Sequence, residues 1–91
     1  MPVKKTSKLI MFYGEECPHC HKMFPLVDKL EKELKTKVKR LETWHNKANE
    51  AKRKKADQGE CGGVPFFVNE KTKEKLCGSV SYNKLKKWAE G

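Results

Sequence analysis

Apolar residues in the first half of the chain follow two different patterns. A continuous run of five apolar residues at 9–13 is typical of a buried strand, so we predict a strand over 8–13 and an exit loop at 14–16. Pro18 suits the first turn of a helix, and Pro25 should kink that helix rather than end it, because the pattern continues beyond it. The apolar positions with helical spacing are Met23, Val27, Leu30 and Leu34.

The second half of the chain predicts shorter elements. Alternation of apolar and polar residues predicts a strand over 38–44, and a stretch rich in Ala, Lys and Glu predicts a surface helix over 46–58. Beyond a flexible connection at 59–63, two short apolar runs predict a hairpin. Ser81 is the predicted N-cap of a last helix. The hairpin strands are predicted at 66–68 and 73–77 with a turn at 69–72, Gly78 ends the second strand, and Leu85 and Trp88 lie on the apolar side of the last helix.

The predicted order of elements is β-α-β-α-β-β-α, which indicates a single α/β domain over residues 1–91. Helices between the first strands imply a parallel pair joined by right-handed crossovers, and the last two strands form an antiparallel hairpin. A four-stranded mixed sheet flanked by helices is therefore expected. The 91 residues leave no room for a separate cofactor-binding domain, so any chemistry must come from one compact core.

The net charge of +9, carried almost entirely by lysine, favours acidic partners. Its densest patch is the run from Lys52 to Lys55. A solvated helix face explains this patch better than nucleic-acid binding, because few aromatic residues are interleaved there for base stacking. No stretch approaches the ~20 apolar residues that a membrane span needs, so no membrane partner is expected. We expect a monomer.

The N-terminal residues 1–7 are polar and basic, and we expect them to be flexible. The five-residue apolar run behind them is too short for the core of a signal peptide. This predicts a cytoplasmic protein, with a leader removed from the sequence as the alternative. Four cysteines in such a chain indicate redox or metal chemistry more often than a disulfide framework.

The segment Cys17-Pro18-His19-Cys20 lies where the first strand gives way to the first helix. Two thiols three residues apart on a first helical turn share one face and can close a disulfide. The partial positive charge at the helix start favours the thiolate of Cys17, which is the species that attacks disulfides. The pattern indicates a redox centre that needs no organic cofactor.

This arrangement resembles the thioredoxin-like superfamily, in the compact form that glutaredoxins and small archaeal thioredoxins share. Val64-Pro65 stands where that family carries a cis-proline beside the active site, and Pro25 stands where thioredoxins have a helix-kinking proline. Gly78 occupies the position of a family glycine that faces the site. The resemblance implies that Cys17 and Cys20 are catalytic, with Val64, Pro65 and Gly78 binding substrate.

Several positions depart from the family pattern. Met11 replaces the buried acid of full-length thioredoxins, and Glu16 replaces the tryptophan before the motif, so its charge should partly oppose thiolate formation at Cys17. Glutaredoxins prefer Tyr where this chain has His19, Thr where it has Gly63, and a Gly-Gly pair followed by acidic residues where it has Cys77-Gly78-Ser79. A glutathione-dependent glutaredoxin is therefore the alternative function rather than the preferred one.

Three further residues leave alternatives open. His19 either stabilises the Cys17 thiolate, which makes the disulfide more oxidising, or faces solvent and does little. Cys61 and Cys77 are either a second thiol pair near the site, or unpaired, in which case Cys77 is a small buried hydrophobic residue. A metal site built from these thiols is disfavoured, because structural zinc sites usually pair two C-x-x-C units and this chain has one.

Taken together, the residues and the resemblance predict a thiol–disulfide oxidoreductase. Cys17 attacks and Cys20 resolves, with Pro18 and His19 in supporting roles. The expected partners are protein disulfide or dithiol substrates and a reductase or oxidase that recharges the couple. No metal is required. A metal- or nucleic-acid-binding module on the same fold is the alternative outside redox chemistry.

Overall fold

The computed structural model describes residues 8–90, so the prediction of a flexible segment at 1–7 lies outside the described residues. Four strands and three helices alternate in the predicted order β-α-β-α-β-β-α. In chain order they are β1 (Leu9–Tyr13), α1 (Pro18–Leu34), β2 (Val38–Glu42), α2 (Lys47–Asp57), β3 (Phe66–Asn69), β4 (Lys75–Cys77) and α3 (Tyr82–Glu90).

The strands form one mixed sheet in the order β2-β1-β3-β4, which confirms the predicted fold class. β1 and β2 are parallel, with Leu9 opposite Val38, and α1 supplies the crossover between them. β3 is antiparallel to both β1 and β4. The carboxyl ends of β1 and β2 therefore lie side by side at one edge, where the loops that follow them meet.

Alternation along the strands divides the core between the two faces of the sheet. Helices α1 and α3 cover one face, where Met11, Phe67 and Trp88 are buried together. Helix α2 packs on the other face over Phe12 and Phe66, whose rings stack with centroids 5.7 Å apart. Burial of each of these large side chains stabilises the fold by about 1.5–3 kcal/mol.

Helix α1 runs through Pro25 without ending, as its apolar spacing predicted. It ends at Leu34, and the cap residue Lys35 has a left-handed backbone (φ 50°, ψ 47°) and donates its N–H to the carbonyl of Glu31. Its buried stripe is Cys20, Met23, Val27 and Leu30.

β2 and β4 are each two residues shorter than predicted because side chains divert the backbone. β2 ends at Glu42 rather than at residue 44, since the Glu42 carboxylate accepts the N–H groups of Trp44 and His45. β4 begins at Lys75 rather than at residue 73. There the Asn69 side chain organises the preceding turn by accepting from the N–H of Lys71 at 2.9 Å. Within residues 8–90, no helix has the length and apolar character to cross a membrane.

Candidate active site

Cys17 is the N-cap of α1, with an extended backbone (φ −81°, ψ 113°) and Pro18 at the first helical position. Its N–H donates to the carbonyl of Gly14 at 3.0 Å, and its sulfur accepts the backbone N–H of Cys20 with an N···S distance of 3.4 Å. A hydrogen bond to the sulfur and the positive end of the helix both stabilise negative charge there. The Cys17 sulfur is thus hydrogen-bonded and lies at the positive end of the helix.

Cys20 shares the first turn of α1 but has different surroundings. Both cysteines are free thiols, and both are buried, at 4% exposure for Cys17 and 0% for Cys20. Burial, reinforced by the hydrogen bond with Cys17, raises the pKa of Cys20 to about 12. Met11, fully buried in the same cluster, contributes no proton acceptor. Cys20 is therefore a neutral thiol at ordinary pH.

The predicted substrate residues lie together at the start of β3. The Val64–Pro65 peptide bond is cis, and Val64 packs against the cluster that contains Cys17 and Cys20. Gly78 adopts a left-handed backbone (φ 76°), and its N–H donates to the Pro65 carbonyl at 2.8 Å. A glycine suits this position because it adopts positive φ without steric cost. Pro65 is buried, while Val64 and Gly78 are half-buried.

Cys61 and Cys77 form a disulfide, with their Cα atoms 5.3 Å apart. Cys77 pairs with Phe66 across β3 and β4, so the bond ties the loop before Pro65 to the end of β4. Cys77 is exposed rather than buried. A metal site using all four thiols would need these two sulfurs free, whereas the structure joins them.

The buried carboxylate of Asp57 holds the same loop. It accepts the N–H of Cys61 at 2.5 Å and of Gly62 at 2.7 Å, and it pairs with Arg53 at 3.1 Å. Burial acts to raise the pKa of Asp57, but the two N–H donors and the guanidinium outweigh it and lower that pKa. Arg53 is itself buried, so the basic run 52–55 is not wholly a solvated face.

Glu16, next to Cys17, forms an ion pair with His45 at 2.7 Å. The hydrogen bond to Glu16, assisted by its charge, raises the pKa of His45. Glu15, Glu16 and His45 bring their ligand atoms within 4.8 Å of one another, the spacing of a metal site, but all three are exposed. We assign no metal to an exposed group of this kind.

Trp44 is a site residue that the sequence pattern missed. Its ring lies against Gly14, where a Cβ atom would come within 2.2 Å of it, yet 52% of the residue is exposed. The Glu42 carboxylate joins the loops after β1 and β2 by accepting the N–H of Glu15 and of Trp44. Because parallel strands end at the same edge, residues directly after the second strand could have been placed beside the motif.

His19 and Pro18 are exposed on the first turn of α1. His21, the next histidine, contacts the Glu15 carbonyl through its Nε2 and packs edge-on against Phe24. The imidazole of His19 therefore faces the surface beside the thiols, and the structure assigns it no hydrogen-bond partner within residues 8–90.

Comparison with known proteins agrees with this geometry. A thioredoxin family model matches residues 2–91. The fold is similar to that of a glutaredoxin from Archaeoglobus fulgidus, with a TM-score of 0.65, 17% identity, and coverage of 94% of this chain and 89% of that one. A thioredoxin from Aeropyrum pernix gives a TM-score of 0.66 at 22% identity, with coverage of 90% and 71%. No curated protein sequence matches the chain.

Proposed function

Since the chain belongs to the thioredoxin family, whose members are thiol–disulfide oxidoreductases, we propose that it exchanges disulfides with protein substrates through Cys17 and Cys20. The observation that carries the proposal is the contrast between the two thiols. The Cys17 sulfur accepts an N–H at a helix start, while burial keeps Cys20 protonated. Cys17 is therefore the proposed attacking thiol, and Cys20 reacts only after a mixed disulfide has formed.

In the reducing direction, the Cys17 thiolate attacks one sulfur of a substrate disulfide. A Cys17–substrate disulfide forms, and the first substrate sulfur leaves as a thiolate that takes up a proton. Cys20 then loses its proton and attacks the Cys17 sulfur, which releases the second substrate sulfur. Two electrons and two protons pass to the substrate, and Cys17–Cys20 is left oxidised. The reverse sequence oxidises a substrate dithiol.

Val64, Pro65 and Gly78 are the proposed docking edge for the substrate. They stand at the start of β3 and the end of β4, next to the thiol cluster, where an extended peptide can add as a strand. The exposed ring of Trp44 adds apolar surface on the opposite side of Gly14. A recharging reductase or oxidase would use the same thiols. The proposed location is the cytoplasm.

Single-cysteine variants test the order of attack. Cys17→Ser should abolish disulfide reduction of insulin, because the nucleophile is lost. Cys20→Ser should instead accumulate a mixed disulfide with substrate, since attack survives and resolution does not. Non-reducing gels and mass spectrometry of each variant mixed with oxidised substrate distinguish the two results.

Matched behaviour of the two variants, with no trapped adduct from either, would refute the assignment of Cys17 as nucleophile. Adding Cys61→Ser/Cys77→Ser to the Cys20→Ser variant serves as the control, because an adduct that persists without these two sulfurs must be on Cys17.

A further inference from the structure

Within residues 8–90, helix α2 covers only part of its face of the sheet. Helix α2, through Ala56, packs over the end of the sheet that holds Phe12 and Phe66. Toward the opposite end, Ile10 and Val68 are cross-strand partners on the same face. An open groove of about 850 Å³ lies over them, with Leu41 also in its floor.

A row of residues across the sheet shows the character of this groove. Lys39 on β2 stands opposite Ile10 on β1, Ile10 stands opposite Val68 on β3, and Val68 stands opposite Lys75 on β4. The row is thus apolar in the middle and basic at both ends. Its two lysines are three strand spacings apart, on the order of 14 Å.

Lysines surround the groove on every side. Glu70 is the one acidic residue that lines it within the described part of the chain. Lys75 is paired with Glu60 at 2.8 Å, whereas the other rim lysines form no ion pair with a residue in 8–90. The rim consists of Lys8, Lys39, Lys52, Lys55, Lys73 and Lys75.

We propose that this groove docks an acidic amphipathic helix of a partner protein. A helix about 10–12 Å across fits between Lys39 and Lys75, with carboxylates along both flanks. Its apolar stripe would lie on the half-buried side chains of Ile10 and Leu41, next to Val68, which is 7% exposed. Positive charge on both sides of an apolar floor is complementary to that ligand, and of the rim lysines only Lys75 is already paired within residues 8–90.

Other occupants match the groove less well. A fatty acid offers one carboxylate, which could meet one or two of the rim lysines and leave the opposite row unpaired. A nucleic acid would leave the apolar floor without a partner. A second copy of this chain brings the same net charge of +9 and would be repelled.

The groove is separate from the thiols. It lies on the α2 face near the start of β1, whereas Cys17 follows the end of β1 and packs with the α1 and α3 cluster. A docked helix would therefore leave the thiols accessible, and docking can fail without any effect on disulfide exchange.

Selection from a displayed library of helical peptides tests the proposal. The library fixes an apolar stripe at helical spacing and randomises both flanks. Binders should be enriched in Asp and Glu on both flanks, and chemical shifts of Ile10, Lys39 and Val68 should change when the best peptide is added. The proposal would be overturned if no binder is enriched, or if the enriched binders lack acidic flanks. It would also be overturned if the chemical shifts change only on another surface.

Charge-reversal variants give the matched measurement. Lys39→Glu/Lys52→Glu should weaken binding of the selected peptide about tenfold or more, measured by fluorescence anisotropy at low salt. Lys32→Glu/Lys84→Glu loses the same charge from α1 and α3, and it should bind within about twofold of the original chain. Equal loss in both variants would show non-specific attraction and overturn the proposal.

Competition separates the remaining occupants. Myristate and a single-stranded oligonucleotide are each added to the bound peptide. If either displaces the peptide at a concentration below the peptide's own Kd, the groove is assigned to that ligand instead. Insulin reduction by Lys39→Glu/Lys52→Glu should match that of Lys32→Glu/Lys84→Glu, which has the same net charge, so a failure of docking is distinguishable from a failure of the proposed redox function.

Discussion

At the scale of single residues, the site depends on how differently two neighbouring sulfurs are treated. The Cys17 sulfur accepts a hydrogen bond from a backbone N–H of the helix that it caps. Cys20, one turn further along, is buried, and burial raises the pKa of its thiol. Two exposed groups stand near enough to adjust this difference. One is His19 within the motif, and the other is the Glu16–His45 pair beside it.

His19→Ala measures what the imidazole adds to the redox couple. If His19 stabilises the Cys17 thiolate, it stabilises the reduced protein, and its removal should make the reduction potential more negative. Because the side chain is exposed, we expect a shift of a few tens of millivolts at most, where ~30 mV corresponds to a tenfold change in the equilibrium constant. Equilibration with glutathione buffers gives both potentials. An unchanged potential would mean that His19 only faces solvent.

His45→Gln tests the ion pair beside Cys17 through its pH dependence. The pKa of His45 is raised by Glu16, so the pair is charged at low pH and loses its positive member as pH rises through that pKa. Below that pH, the variant leaves the Glu16 charge unopposed and should slow alkylation of Cys17 about twofold, a small effect because the pair is exposed. Iodoacetamide rates from pH 5 to 9 should converge at the alkaline end. Glu16→Gln, the control, should make the rate insensitive to residue 45.

At the scale of elements, the loop from α2 to β3 is the part of the site held by ionic contacts. Asp57, at the last position of α2, fixes the N–H groups of Cys61 and Gly62 and pairs with Arg53. The loop so fixed leads directly into Val64 and Pro65. Its geometry therefore depends on one buried carboxylate.

Asp57→Asn should destabilise the protein by about 1.5–3 kcal/mol at neutral pH, because the N–H groups of Cys61 and Gly62 lose a charged acceptor. Arg53 loses this partner but keeps its pair with Glu50 at 2.8 Å. The pKa of Asp57 is lowered in the folded state, so its contribution is present above the unfolded value of about 3.9 and is lost as pH falls through the folded value. Urea unfolding at pH 7 and in acid should show the gap between the two proteins narrowing in acid. Asp28→Asn, at an exposed pair with Arg40, should cost less than about 1 kcal/mol.

The elements also differ in how far the sequence could predict them. Periodicity gave the order of strands and helices and the passage of α1 through Pro25, since apolar spacing reports which faces are buried. It could not give the ends of β2 and β4, because side-chain contacts of Glu42 and Asn69 decide them. It also treated Arg53 as solvated, since no local pattern shows that a basic residue will pair with a buried carboxylate four positions later. The position of Trp44 beside Gly14 could not be predicted without knowing that β1 and β2 are paired.

At the scale of the whole molecule, net charge governs how partners approach. The chain carries +9, and its lysines are distributed over both faces of the sheet. Long-range attraction should therefore raise encounter rates with acidic proteins, and salt should weaken it.

A pair of model substrates measures this effect. Peptides with the same disulfide but Glu-rich or Lys-rich flanks should differ in their second-order rate of reduction, with the acidic peptide about tenfold faster at low salt. The difference should shrink as ionic strength rises to 0.5 M, because the Debye length falls to about 4 Å. A rate ratio that does not respond to salt would place the preference in direct contacts rather than in the field of the molecule.

The apolar surroundings of Cys20 affect the lifetime of a mixed disulfide at Cys17. Met11 lies in the same buried cluster, and burial, the largest cause of the raised pKa of Cys20, acts whether or not Cys17 is bound to another sulfur. Little of the Cys20 thiol is therefore ionised in neutral solution. The mixed disulfide with a client would then outlast the encounter that formed it. In the proposed disulfide exchange, a longer-lived mixed disulfide would give the bound substrate time to rearrange before release.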